Sequence, residues 1–203
     1  MKGDRYRLRH LSFSWQSPTI LLSCLRCSLL VDMGQWLRCN SLSMRQFNMY
    51  AALGAGVHGA AVLAAQNLAP GTSVFPLTGT LTHLPDTYTM QIGAHTHLLP
   101  DGQLWRYLNH SCAPNCRIDF STWTLVTTRT IPCNAELTFN YLTTEWDMVA
   151  PFACLCGARH CYGFVAGFKY LLPVQQVLLA PQCSPALRRL WRTHATQPQG
   201  YGQ

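Results

Sequence analysis

Hydrophobic and polar positions along the chain follow no single period. Residues 1–50 show neither the recurrence of an amphipathic helix nor the alternation of a half-buried strand. Residues 53–65 are so uniformly Gly, Ala, Val and Leu that periodicity cannot separate helix from strand there. Residues 67–75 predict a turn at Pro70-Gly71 that enters a strand. Residues 127–139 echo them: short strand, apolar residue, a turn at Pro132-Cys133-Asn134, strand. Asn134 stands where Gly71 stands, and Asn is the next residue after Gly to tolerate a left-handed turn. Between the echoes, residues 87–92 and 123–128 read as further short strands. Alternation puts Leu137, Phe139 and Tyr141 on one strand face. At the end, Ser184 is an expected N-cap and Pro185 a first helical residue. The helix that follows carries an apolar side of Leu187, Leu190 and Trp191, suited to docking on the domain. Many short strands at this spacing predict a mainly β fold of small sheets with a short C-terminal helix.

Composition limits the classes of function. With 203 residues, 48% hydrophobic and 11% charged, the chain has the makings of one domain with a core. Its net charge of +7 sits at the ends: residues 1–50 contribute +5, residues 51–173 only −1, and residues 174–203 the last +3. A groove that neutralises phosphates needs clustered cations on the folded part, so direct nucleic-acid binding is not expected. The longest apolar stretch, residues 19–31, is too short to span a bilayer and contains Arg26, so no membrane association is expected. The acid-poor, Arg- and Ser-containing start reads as a targeting sequence or a flexible extension. Another possibility is a start codon assigned too early, with Met33, Met44 and Met49 as later options.

Candidate chemistry lies in three runs. They are Arg106-Tyr-Leu-Asn109-His110-Ser-Cys112-Ala-Pro-Asn-Cys116, Glu136-Leu-Thr-Phe139-Asn-Tyr141, and Phe152-Ala-Cys154-Leu-Cys156-Gly-Ala-Arg-His160-Cys161-Tyr-Gly163. Of the ten cysteines, the close trio Cys154, Cys156 and Cys161 favours metal-bound thiolates in a reducing, intracellular compartment over a disulfide scaffold. The trio supplies three ligands where a structural zinc wants four, and His160 competes for a place. Cys116, Cys133 and Cys183 read as buried or idle thiols.

In this order and spacing, the three runs resemble the two signature motifs and the post-SET zinc segment of SET-domain protein-lysine methyltransferases, over roughly residues 54–172. The resemblance implies a SET fold with a knot-like core and four parts: an extension (1–50), a SET domain (51–150), a post-SET zinc segment (151–173) and a helical tail (174–203). It implies a monomer that transfers methyl groups from S-adenosylmethionine to a lysine of a protein, with histones the commonest association and nucleus or cytoplasm the expected place. Cys112 becomes the fourth zinc ligand beside Cys154, Cys156 and Cys161. Asn109 and His110 match the pair that holds the cofactor, and the Gly-rich turn that meets its amino-acid end falls at Gly59-Ala60-Ala61, with Gly54-Ala55-Gly56 as competitor.

Tyr141 matches the catalytic tyrosine. Phe139 stands at the position that sets methylation degree, where a phenylalanine implies di- or trimethylation. Tyr88 is a candidate for the lysine channel and Phe152 for covering the cofactor, while ordinary packing is expected of Trp146. Departures from the pattern are Ala61 for the second glycine, Leu77 for a tyrosine two residues before Gly79, Asn140 for an acid and Tyr162 for an arginine. The cysteine-rich pre-SET cluster is absent, since Cys24, Cys27 and Cys39 are too few. Two rival readings stay open: a zinc-stabilised SET-fold binding module without turnover, and a cysteine redox protein.

Overall fold

The structure, a computed structural model, describes residues 47–57 and 59–196. The targeting, extension and start-site readings of the first segment, and Cys24, Cys27 and Cys39, therefore lie outside the described residues. A meander comes first: β1 (Phe47–Asn48), β2 (Ala51–Gly56) and β3 (Gly59–Ala64), antiparallel in that order. The stretch of small residues is thus a hairpin, with Ala51 opposite Ala64 and Gly56 opposite Gly59. Its inner side is sealed by Ala51, Ala61, Val62 and Ala64, all fully buried.

Then follow β4 (Ser73–Pro76), β5 (Thr80–Thr82), β6 (Met90–Gln91), β7 (His97–Leu99), β8 (Asn109–His110), β9 (Cys116–Asp119) and β10 (Thr124–Thr127). The set closes with β11 (Thr138–Phe139), β12 (Phe152–Ala153) and β13 (Phe164–Val165). β10 lies between β4 and β9, and β7 between β5 and β6, all antiparallel. β12 pairs antiparallel with β13, whereas β8 and β11 run parallel. This is the mainly β arrangement of small sheets that the sequence predicts.

The two echoing segments are stitched to each other. Leu68 and Ile131 exchange backbone hydrogen bonds of 2.8 and 2.9 Å, and both side chains are buried. Gly71 and Asn134 take the expected left-handed conformations, at φ of 79° and 65°.

Two expectations need correction. In residues 87–92 only Met90–Gln91 is strand, because the Asp86 carboxylate accepts the backbone N–H groups of Tyr88 (2.7 Å) and Thr89 (2.9 Å) and holds a turn. The strand carrying Leu137 and Phe139 stops before Tyr141. The Asn140 side chain accepts the Leu142 N–H at 3.0 Å and starts a tight turn over Tyr141–Thr143.

The core has two parts. One gathers Val62, Leu77, Trp105, Leu125, Ile131, Leu137 and Phe139, with Tyr141 packed against it. The second gathers Leu142, Cys154, Val165, Phe168, Leu179, Cys183 and Leu187. At roughly 1.5–3 kcal/mol per fully buried large apolar side chain, each part is a substantial source of stability. Two helices contribute to the second: α1 (Pro173–Leu179) and α2 (Pro185–Thr196). As expected, the Ser184 hydroxyl caps α2, accepting the Leu187 N–H at 3.1 Å. α1 was not foreseen. No helix among the described residues is long and apolar enough to cross a membrane.

Candidate active site and metal centre

The parallel pair β8 and β11 puts the first two motifs side by side, with Asn109 opposite Thr138 and His110 opposite Phe139. Side chains lock this junction. The Asn115 amide donates to the Glu136 carbonyl at 2.7 Å, and its oxygen accepts the Thr138 N–H at 2.9 Å. The Asn109 amide donates to Glu136 Oε1 at 2.7 Å and to the Ala60 carbonyl at 3.2 Å, which ties the glycine hairpin to both motifs.

A cavity of about 770 Å³ opens over this junction. Ala60, Tyr88, Asn109, His110, Phe139, Tyr141 and Phe152 all line it. The volume is in the range of sites that hold small molecules. Phe139 lies tilted against Tyr141 with ring centres 5.0 Å apart, and His110 makes edge contacts with Tyr141 and Phe152 at 5.3 and 5.8 Å. The Tyr141 hydroxyl donates to the Leu108 carbonyl at 2.6 Å. Burial, with Glu145 and Glu136 nearby, raises its pKa, so the hydroxyl stays protonated. Because its proton is committed to Leu108, the oxygen lone pairs remain available as acceptors. His110 Nδ1 accepts the Tyr141 N–H at 3.1 Å, and burial lowers the imidazole to about 4.

The remaining site residues fall as follows. Tyr88 sits in the Asp86 turn, partly exposed, with the Arg106 guanidinium 3.7 Å over its ring. Of Gly59-Ala60-Ala61, only Ala60 lines the cavity; Gly59 opens β3 at a φ of 109°, and Ala61 is fully buried. The competing Gly56 lies directly across, and a Cβ there would come 2.7 Å from the Ala61 methyl and 2.8 Å from Glu136 Oε2. The methyl of Ala61 therefore uses space that Gly56 leaves open, so the two candidates act as one turn. Leu77 is a core residue and does not line the cavity. Trp146 stacks on Phe168 and His194, the packing role expected of it.

Four cysteine sulfurs converge beside the cavity. Cys112, Cys154, Cys156 and Cys161 bring their Sγ atoms within 4.8 Å of one another, and His160 is not in the cluster. Cys112 lies 3.7 Å from Cys154 and 3.8 Å from Cys161, while Cys156 lies 3.7 Å from Cys161. Zn–S bonds of about 2.3 Å in a regular tetrahedron place the sulfurs about 3.8 Å apart, so the residues fit a zinc ion. Backbone N–H groups of Cys112, Tyr162 and Gly163 point at Cys156, Cys112 and Cys161 over 3.4–3.5 Å, as thiolates require. Burial opposes ionisation of Cys156, yet the N–H groups of Cys112 and Ala158 hold its thiol below the ordinary value. Cys116 and Cys183 are buried elsewhere, and the Cys133 thiol donates to the Ala65 carbonyl at 3.5 Å.

Sequence reasoning missed three polar groups. Glu145 lines the cavity, accepts the Gln91 N–H at 3.0 Å, and is raised by burial to about 7. His97 lines the same cavity with a buried, unpaired Nδ1; burial, then His83 and His95, lower its pKa. Asn115 had a visible signal, since it sits inside the first motif, but its partners come from the second. Nothing local marked Glu145 or His97.

Residues 59–142 match the family model for the SET domain. A methyltransferase of Aspergillus flavus, flvH, is 49% identical over 63 residues, covering 30% of this chain and 35% of that protein. An H3 lysine-36-specific histone-lysine N-methyltransferase of Chaetomium globosum is 38% identical over 74 residues, 32% of this chain and 8% of that protein. A crystal structure of KRYPTONITE with mCHG DNA and SAH overlaps 59% of this chain and 30% of that one, at 22% identity and a TM-score of 0.48. The chain spans about a third of the first of these curated relatives and under a tenth of the second. Within residues 59–142, the span that matches the SET domain, the motif residues are joined across a parallel strand pair.

Proposed function

We propose that this chain is a protein-lysine N-methyltransferase that uses S-adenosylmethionine and is held in shape by one zinc ion. The observation that carries the reading is the meeting of Asn109, His110 and Tyr141, from two distant motifs, in the lining of one cavity beside four converging cysteine sulfurs.

S-adenosylmethionine supplies a methyl group made electrophilic by its sulfonium. Ala60, Asn109, His110, Phe152, Tyr88, Phe139 and Tyr141 share the lining of one cavity. In this reading the first four would meet the cofactor and the last three the lysine. A lysine ammonium is not a nucleophile, and an apolar wall such as Phe139 favours its neutral form. The rest is alignment of amine and methyl. The Tyr141 oxygen, its proton held by Leu108, offers its lone pairs to polarised C–H groups; each such contact is weak, but several act together. Phe139 brings no hydroxyl to hold a water beside the amine, which leaves room for a second and third methyl. Cys112, Cys154, Cys156 and Cys161 would hold a zinc ion, which would fasten Phe152 and the segment after it to the first motif and so couple metal binding to site assembly.

The substrate class is a protein lysine, and the histone-lysine relatives make a histone, acted on in the nucleus, the first substrate to assay. The test incubates the purified chain with radiolabelled donor and either histones or whole-cell protein. Transfer is expected from the wild type, while Tyr141→Phe keeps cofactor affinity by calorimetry and loses turnover by about 100-fold. Cofactor binding without transfer to any protein would favour a binding module, and undiminished turnover in Tyr141→Phe would refute the role of its hydroxyl.

A further inference from the structure

His110 does more than its place in the first motif requires. Its main chain is already used, paired with Phe139 across β8 and β11. Its side chain makes two further bonds in opposite directions. Nδ1 accepts the Tyr141 N–H at 3.1 Å, and Nε2 lies 3.2 Å from Cys112 Sγ.

The first bond decides the second. A neutral imidazole carries one donor and one acceptor nitrogen, and an imidazolium carries two donors. Only a lone pair on Nδ1 can accept the Tyr141 N–H, so the ring is neutral and its proton sits on Nε2. The contact with Cys112 is therefore N–H···S, with sulfur as acceptor. The opposite arrangement, a Cys112 S–H donating to Nε2, would put the proton on Nδ1 and leave two N–H groups facing each other at the Tyr141 end. A sulfur that accepts from a ring N–H, and from the Tyr162 N–H at 3.5 Å, is disposed as a thiolate, the form a metal needs. The ring is also held edge-on between Tyr141 and Phe152.

We propose that His110 is a positioning residue that couples the metal centre to the catalytic tyrosine, its Nε2–H bonded to the metal thiolate of Cys112 and its Nδ1 to the backbone of Tyr141. The inference rests on the four-cysteine metal site and the role of Tyr141 given above, and adds the link between them. Partners of this kind orient metal ligands and tune the metal, and their loss usually costs about 10–100-fold in affinity or activity. Here the same ring also anchors the first residue of the turn that presents the Tyr141 hydroxyl. Metal loss is thus felt at the phenol through one side chain.

The test uses the full chain loaded with cobalt in place of zinc, and reads the thiolate-to-cobalt charge-transfer band. His110→Phe keeps a planar ring and removes both nitrogens, whereas His110→Gln supplies an amide oxygen to accept and an N–H to donate. In His110→Phe the band is expected to move to lower energy, metal release to a chelator to quicken about tenfold, and the Tyr141 amide proton to shift upfield. In His110→Gln these changes are expected to reverse in large part. A wild-type measurement guards against misfolded variants: with NMR-active cadmium bound, the proton on His110 Nε2 should show scalar coupling to the metal across the sulfur. A charge-transfer band that ignores both substitutions, or a proton found on Nδ1, would overturn the role of His110 while leaving the metal site standing. Absence of any thiolate-to-cobalt band in the wild type would instead overturn the metal site and the link with it.

Discussion

Replacing Glu145 by Gln should change how stability depends on pH, and the structure sets both sign and size. In the folded chain burial raises this carboxyl from 4.5 to about 7, despite the Gln91 N–H that favours its charged form. Between those values the folded state holds a proton that the unfolded state has lost. Stability conferred by this group is therefore present below the unfolded value and falls as pH rises toward about 7, after which it is flat. The full shift corresponds to about 3.4 kcal/mol at about 1.4 kcal/mol per unit. The side chain is only partly shielded from solvent, so roughly half, about 1.5–2 kcal/mol, is the expected effect.

Gln is neutral at every pH and keeps an oxygen for the Gln91 N–H. Glu145→Gln should thus gain on the wild type by about 1.5–2 kcal/mol as pH rises from about 5 to about 8. Urea denaturation of both proteins across that range measures the difference. Any titration of the clustered cysteines affects both proteins alike and cancels. A difference that stays constant with pH would show that the carboxyl is not held in a dry environment, and would refute the reasoning.

Three further outcomes are expected. Phe139→Tyr places a hydroxyl beside Tyr141 and should shift products toward monomethyl-lysine, read by mass spectrometry of the methylated substrate; an unchanged product pattern would count against the assignment. Gly79→Ala drives a methyl into the Leu99 carbonyl where β5 meets β7, and should cost about 2–4 kcal/mol in denaturant titration; a loss under about 0.5 kcal/mol would mean the strands part without strain. Ser184→Ala removes the cap of α2 and should cost about 1 kcal/mol, read from thermal unfolding; no loss would show that the hydroxyl does not cap the helix.

The sequence was most legible where chemistry sits on short, dense strings. Asn109-His110, Tyr141 and the cysteine trio are marked by residue types that ordinary packing does not supply together. The two left-handed positions, Gly71 and Asn134, were legible because few residues tolerate that conformation. Residues 51–64 were not, since a hairpin of small apolar residues has no polar side to give it a period. The strand expected to reach Tyr141 failed at Asn140, whose side chain competes for a backbone N–H and turns the chain. α1 escaped for another reason. Its Val174, Val177 and Leu178 are exposed while Leu179 alone is buried, so its pattern does not show the apolar stripe by which a docked helix is recognised. Glu145 is unusual because the fold buries it against Gln91, 54 residues away in the sequence.

The start of α2 is moored to the turn just beyond Tyr141. The Ser184 N–H donates to the Thr143 carbonyl at 2.8 Å, and the Cys183 thiol reaches the Leu142 carbonyl at 3.8 Å. Trp146 and His194 clasp the far side, ring over ring at 4.8 Å. A tag, a cleavage or a binding partner that tugs on this helix therefore pulls on the cavity wall within two peptide units of the Tyr141 phenol. This helix is a handle on the cavity, and a fusion that strains it will change the cavity's shape.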